Sequence, residues 1–232
     1  MTDRLRLPWP DALAFQERDG RPIRLLAVSD EVDPSLESGA TREGLAPLDL
    51  IVGCGDLEPA YLSFLADAFG VPLAYVRGNH DIGGGWRAAR STVPDSLVDG
   101  RIHVEEGVRL LPFSGSPRYA PHGHPEAEQQ VSAWNMWRKV VWAWPGAMFR
   151  RPLLVVTHAA PRDLNDDTDQ AHRGFSSFRW LLDQLTPPLW LHGHTALIRR
   201  GIDGRCVRHG ETLLLNVTGA VLVELLPQPA AV

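Results

Sequence analysis

Cysteine is scarce in this chain of 232 residues, which has only Cys54 and Cys206. Two cysteines cannot build a disulfide framework and fit a reducing compartment, so a cytoplasmic location is expected. Long apolar runs are missing too. None approaches the roughly 20 residues that cross a bilayer, and the opening Met1-Thr2-Asp3-Arg4 does not begin a signal peptide. A cationic excess is also lacking: the formal charge is −5 and the isoelectric point about 6.0. That balance argues against a protein that grips long nucleic acid through counterion release. No phosphate-binding glycine loop, dinucleotide glycine fingerprint or catalytic serine motif is found. What remains is an ordinary globular composition, 44% hydrophobic and 22% charged, in a length suited to one large α/β domain.

Residues 1–22 mix charges with Pro8 and Pro10 and read as a poorly packed leader or short edge hairpin before a single domain over 23–232. Strands then alternate with helices. Tyr61, Leu62, Leu65, Ala66 and Phe69 recur at near-helical spacing over 57–69, and Phe175, Phe178, Leu182 and Leu185 form a second stripe. The longest helical pattern runs from Glu126 to Trp144, with Val131, Trp134, Trp137, Val141 and Trp144 on or near one face. It reads as an amphipathic helix burying aromatics on a sheet, with Trp142 and Trp144 as alternative walls for a nucleobase. Short strands follow over 196–200, 205–208, 212–217 and 220–226. Strands and helices first, then strands, suggest two packed sheets with helices outside.

Five apolar runs each end in metal-capable side chains. They lead into Ser29-Asp30-Glu31, Gly55-Asp56, Gly78-Asn79-His80-Asp81, Thr157-His158 and His192-Gly193-His194. Asn supplies a hard amide oxygen, His an imidazole and Asp a carboxylate, while Gly permits the sharp bend. Singly, each has a plainer reading: Asp30 and Asp56 as helix caps, Asn79 as a turn former, His158 as a satisfied core histidine. Their order is what speaks for a metal site. The sequence resembles the calcineurin-like metallophosphoesterase superfamily, whose motifs run Asp-x-His, Gly-Asp, Gly-Asn-His-Asp/Glu, His and Gly-His-x-His. The resemblance spans about nine-tenths of the chain from Ile23 onward. It departs at two positions: Val32 and Ala196 stand where the motifs carry histidines.

The resemblance implies a four-layer αββα sandwich of two mixed sheets and a site for one or two divalent metals, with Mn²⁺ favoured and Mg²⁺, Fe or Zn²⁺ admissible. Asp56 would bridge, Asp30 would serve one metal, and Asn79, His158 and His194 would hold the other. His80 would protonate the leaving oxygen or stabilise the transition state, with Asp81 holding its ring. Both missing histidines belong to the same metal in the family pattern, so one site is depleted. Glu31, Asp33 or a water is a candidate replacement, although Asp33 reads more simply as a turn cap. His192 is assigned no ligand role and is expected just outside the cluster.

Substrate clues are thinner. Arg118, in the Ser114–Tyr119 loop, suits a phosphate. His172 opens the segment before the 175–185 helix, where backbone N–H groups favour anions. His122 and His124 are either a flap over the site or exposed loop residues. The expected activity is a metal-dependent hydrolysis of a small phosphodiester or phosphomonoester, the diester favoured. The rival is a weak or inactive member of the fold that senses a nucleotide or phosphate or scaffolds a partner. The expected partner is a small phosphoester, with nucleic acid disfavoured and no membrane; nothing in the sequence fixes an oligomeric state.

Overall fold

The structure, a computed structural model, describes residues 2–88, 92–119, 130–150, 152–197 and 201–228. Its strands are β1 (Asp3–Trp9), β2 (Ile23–Ser29), β3 (Leu50–Gly53), β4 (Leu73–Tyr75), β5 (His103–Glu105), β6 (Val108–Phe113), β7 (Ser116–Pro117), β8 (Gln130–Val131), β9 (Leu154–Thr157), β10 (Leu189–His192), β11 (Cys206–His209), β12 (Thr212–Asn216) and β13 (Gly219–Pro227). The helices are α1 (Gly39–Leu45), α2 (Pro59–Phe69), α3 (Gly84–Ala88), α4 (Ala133–Met148), α5 (Ser176–Leu185) and α6 (Ile202–Arg205).

Two sheets carry the fold. One has the order β1-β13-β2-β3-β4, the other β11-β12-β10-β9-β6-β5, and both are mixed. Consecutive residues of a strand face opposite sides, and here both sides are buried. Leu25, Ala27, Leu50 and Val52 enter one apolar cluster with Leu154, Val156, Leu189 and Leu191 of the other sheet. Leu26, Val28 and Ile51 pack outward against Leu62 and Leu65 of α2. Val155 and Trp190 pack outward against Met136 and Val140 of α4 and Phe178 and Leu182 of α5. Helices therefore cover both outer faces, and a continuous apolar core lies between the sheets, as an αββα sandwich requires.

Three expectations need correction. The first 22 residues do not form an edge hairpin: β1 is an edge strand that pairs in parallel with the distant β13, and Trp9 and Phe15 are buried. Burying Trp9 against the sheet outweighs the polar character that suggested a loose leader. The long helix begins at Ala133, after the short β7–β8 pair and with the Ser132 side chain accepting from the Asn135 N–H. Positions 126–129, where the helix was expected to begin, lie outside the described residues, as do His122 and His124. Its buried face is also not the tryptophan stripe. Met136, Val140, Ala143 and Ala147 meet the sheet, Trp137 and Trp144 flank them against Trp180, and Trp134 is 71% exposed. Small side chains allow closer approach to a sheet than indoles do, and that sets the rotation of the helix.

Candidate metal centre

The strands β2, β3 and β4 run parallel in one sheet, and β9 and β10 run parallel in the other. Their C-terminal ends deliver Asp30, Asp56, Asn79, His158 and His194. Asp30, Asp56 and His194 each hold a left-handed backbone, with φ of 60°, 56° and 68°. Such conformations cost non-glycine residues about 1–3 kcal/mol each and persist only where surrounding bonds enforce them. Those bonds are present. The Asp30 N–H donates to the Gly55 carbonyl (3.1 Å) and the Gly193 N–H to the His158 carbonyl (2.9 Å). The His194 N–H donates to Asp30 Oδ2 (2.9 Å), and the His80 N–H to Asp56 Oδ1 (2.7 Å).

Two glycines make this approach feasible. A Cβ on Gly55, whose φ is +94°, would overlap the Gly78 nitrogen and His158 Nδ1. A Cβ on Gly193 would overlap Ser29 Oγ and Asp30 Oδ2. The strand ends of the two sheets meet through these gaps.

At the centre, ligand-type atoms of Asp56, His158 and His194 lie within 4.8 Å of one another. The ring nitrogens are assigned by their outer partners. His158 Nδ1–H donates to the Cys54 carbonyl (2.8 Å), which leaves Nε2 to face Asn79 Oδ1 at 3.0 Å and Asp56 Oδ2 at 3.2 Å. His194 Nε2–H donates to the Ala171 carbonyl (2.7 Å), which leaves Nδ1 as its donor atom. Backbone carbonyls thus fix both tautomers for coordination.

The electrostatics call for a cation. Burial opposes charge on His158, but the neighbouring Asp56 carboxylate outweighs it and raises the imidazole to about 9. Burial likewise works against the Asp56 carboxylate, and His158 together with the His80 N–H more than offsets it, so Asp56 ionises below its usual range. Desolvation raises Asp30 and pushes His194 down to about 3, a neutral ring with a free lone pair. A neutral His158 Nε2 facing two oxygens would set lone pair against lone pair. A positive charge between them removes the conflict, and the carboxylate, amide-oxygen and imidazole set is the donor chemistry that divalent metals take. The residues fit the metal implied by the sequence.

Each remaining candidate has a definite place. His80 is exposed, tethered to the cluster by its backbone. Asp81 is not turned to the His80 ring: its Oδ2 accepts from the N–H groups of Gly78 (2.7 Å) and Asp56 (3.0 Å), tying the ends of β3 and β4 together. Burial raises its carboxyl to about 6. His172 is exposed with its ring 5.1 Å from that of His194, and its Nδ1–H donates to Asp169. Beyond it the N–H groups of Gly174 and Phe175 are already engaged, Gly174 donating to Asp166 Oδ2 and Phe175 to the Ala160 carbonyl. Arg118 lines a separate cleft against α4. His192 is buried and neutral, held near 4 by desolvation, accepting from Asn165 and donating to the Gly193 carbonyl.

Where the family motifs carry histidines, Val32 is 48% exposed and Ala196 is exposed. Asp33 Oδ1 accepts from the Ser35 N–H, the turn-capping role, and Glu31 is exposed. Tyr119 was missed by sequence reading. Its hydroxyl lies 3.4 Å from Asn79 Nδ2, in the loop where only Arg118 had been singled out. The carbonyls of Cys54 and Ala171 were missed as well, and backbone groups leave no mark in a sequence.

Comparison with known proteins agrees with this geometry. The calcineurin-like phosphoesterase family matches residues 45–197, about two thirds of the chain. No protein of curated function matches the sequence. Among solved structures, TT1561 of Thermus thermophilus is 17% identical with a TM-score of 0.57, over 85% of this chain and 90% of its own. Plasmodium GAP50, described as the anchor in the inner membrane complex, is 12% identical at a TM-score of 0.47, over 84% and 71%. Vacuolar Protein Sorting 29 from Cryptosporidium parvum is 13% identical at 0.42, over 89% and 87%. With its strand-end motifs, its layered sheets and the match over most of its length, the chain belongs to the calcineurin-like phosphoesterase family.

Proposed function

We propose that the protein is a metal-dependent phosphoesterase that hydrolyses a small phosphodiester or phosphomonoester, the diester favoured. The observation that carries this is the convergence of Asp56, His158 and His194 within 4.8 Å, with Asn79 Oδ1 3.0 Å from His158. A divalent metal bound there supplies positive charge for the phosphoryl oxygens and makes water a nucleophile near neutral pH. Asp56 uses Oδ1 for the His80 N–H and turns Oδ2 to His158, so one carboxylate serves two sides of the cluster. In this reading the exposed imidazole of His80 would give the leaving oxygen its proton. Asn79 and the neutral His194 orient the cluster without adding charge.

Of the donors that the family motifs would give a second metal, Asp30 and Asp56 are present and the histidines at 32 and 196 are not, so such an ion would be held weakly and would exchange. Oxygen-rich ligation favours a harder ion, with Mn²⁺ first. A diester carries less charge than a monoester and asks less of the depleted side, which is why it is preferred. The exposed Val32 and Ala196 favour a second reading, a phosphate or nucleotide sensor that binds without turnover.

The test is hydrolysis of bis(p-nitrophenyl) phosphate and p-nitrophenyl phosphate by chelator-stripped protein, with and without Mn²⁺. Metal-dependent turnover is expected, falling roughly 10²–10⁴-fold in His80→Ala while metal uptake by calorimetry stays unchanged. Metal uptake without turnover of either ester would move the assignment to the sensor. Full activity in Asn79→Ala would overturn the assignment of the reaction to this site.

A further inference from the structure

A second cleft, of about 940 Å³, opens between α4 and the Asp99–Arg101 turn. Its size is that of a small-molecule site. Asn135, Arg138, Lys139, Trp142 and Ala143 of α4 line it at a spacing that puts them on one helical face. The sheet-packing side of the helix is Met136, Val140, Ala143 and Ala147, which leaves Asn135, Arg138 and Trp142 on the cleft face outside the sheet contact. Across from them stand Arg101 and Arg118.

The charge is the informative part. Among the described residues that line it are four cationic side chains, Arg101, Arg118, Arg138 and Lys139, and one carboxylate, Asp99, in a chain whose net charge is −5. Asp99 is already engaged, with Oδ2 on Lys139 Nζ at 2.5 Å and Oδ1 accepting from the Ser114 N–H at 2.7 Å. Among the described residues, neither Arg101 nor Arg138 meets a carboxylate. Gathered guanidinium groups repel one another, and a bound oxyanion with several acceptor oxygens reverses that cost. Beside them Trp142 is 84% exposed, an indole face ready for a planar ring.

We propose that this cleft is a nucleotide-binding site, with phosphate oxygens at Arg101 and Arg138 and the base stacked on Trp142. Arg118, also in the cleft, is the chain neighbour of Tyr119, whose hydroxyl reaches Asn79 in the metal cluster. The cleft requires no metal, and its occupancy stands apart from the phosphoesterase reading.

The experiment is calorimetric titration of the full chain, in excess chelator, with ADP, pyrophosphate and adenosine. One saturable ADP site is expected, weakened by added salt. Arg101→Glu with Arg138→Glu should weaken ADP and pyrophosphate at least tenfold. Trp142→Ala should weaken ADP roughly fivefold or more, on the order of one stacked base, and leave pyrophosphate unchanged. All three positions line an open cleft, and unchanged thermal unfolding verifies that the variants fold. Absence of saturable ADP binding overturns the proposal, as does binding that ignores both sets of changes. Equal competition by a short polyglutamate overturns it too, in favour of an acidic protein partner. Because no metal is present, a failure here leaves the phosphoesterase reading untouched, and a failure of hydrolysis leaves this site untouched.

Discussion

The two sides of the strand-end cluster are built differently. On the Asn79–His158–His194 side the side chains are buried, carbonyls set the tautomers of the two histidines, and Asn79 Oδ1 faces His158 Nε2 at 3.0 Å. On the Val32–Ala196 side the corresponding positions face solvent, Asp33 is engaged in a helix cap, and Asp30 accepts from the His194 N–H at the adjoining strand end. One side is organised before any ligand arrives. In the proposed reading a metal on the other side would draw donors from water, and unequal affinities would follow.

Removing the organised side should have the largest effect. His158→Ala deletes a ligand and the partner of Asp56. Bound metal measured by mass spectrometry should vanish, and activity should fall on the order of 10³-fold, since several kcal/mol of charge stabilisation goes with it. Retained metal and activity would show that the cluster is not the site. Next comes the join between the sheets: Gly193→Ala pushes a methyl into Ser29 and Asp30. It should cost about 2–3 kcal/mol and lower the melting temperature by roughly 5–10 °C, and an unchanged melt would mean that the strand ends yield easily.

Asp81→Ala should cost about 1–3 kcal/mol, because the N–H groups of Gly78 and Asp56 lose their acceptor. If Asp81 instead served the His80 ring, turnover would fall while the melting temperature stayed put. Val32→His combined with Ala196→His sharpens the contrast directly. Metal stoichiometry should rise toward two per chain, with the weaker site tightening on the order of tenfold or more, in line with adding ligands. No change would mean that another group already fills that side. Smallest of all, Val32→Ala alone should stay within about 0.5 kcal/mol in stability and leave hydrolysis rates as they were.

The layered fold was legible because its signals are local. Apolar runs such as Leu25–Val28 and Leu153–Val156 are too uniformly hydrophobic for a half-exposed strand, and each proves buried on both faces. The metal-capable residues were legible for a related reason: a strand end fixes where the next one or two side chains point. Asp81 was misread because its bonds run to backbone N–H groups, which every sequence has and none advertises. The rotation of α4 was misread because hydrophobicity marks tryptophan as core, whereas close packing favours Ala143 and Ala147. Tyr119 escaped notice because its place beside Asn79 depends on how the Ser114–Tyr119 loop turns after β6.

By itself, then, the sequence determined the alternation of strands and helices, the family, and the candidate donors from Asp30 to His194. It also revealed the absence of histidine at Val32 and Ala196. Only the tertiary structure decided which nitrogen of His158 and His194 is free, that Asp81 serves the backbone, and that Arg101, Arg118, Arg138 and Trp142 share one cleft. The division has a physical cause. Strand and helix propensities are set by near neighbours, whereas tautomers, pKa shifts and charge clusters depend on groups brought together from distant segments by the packing of two sheets.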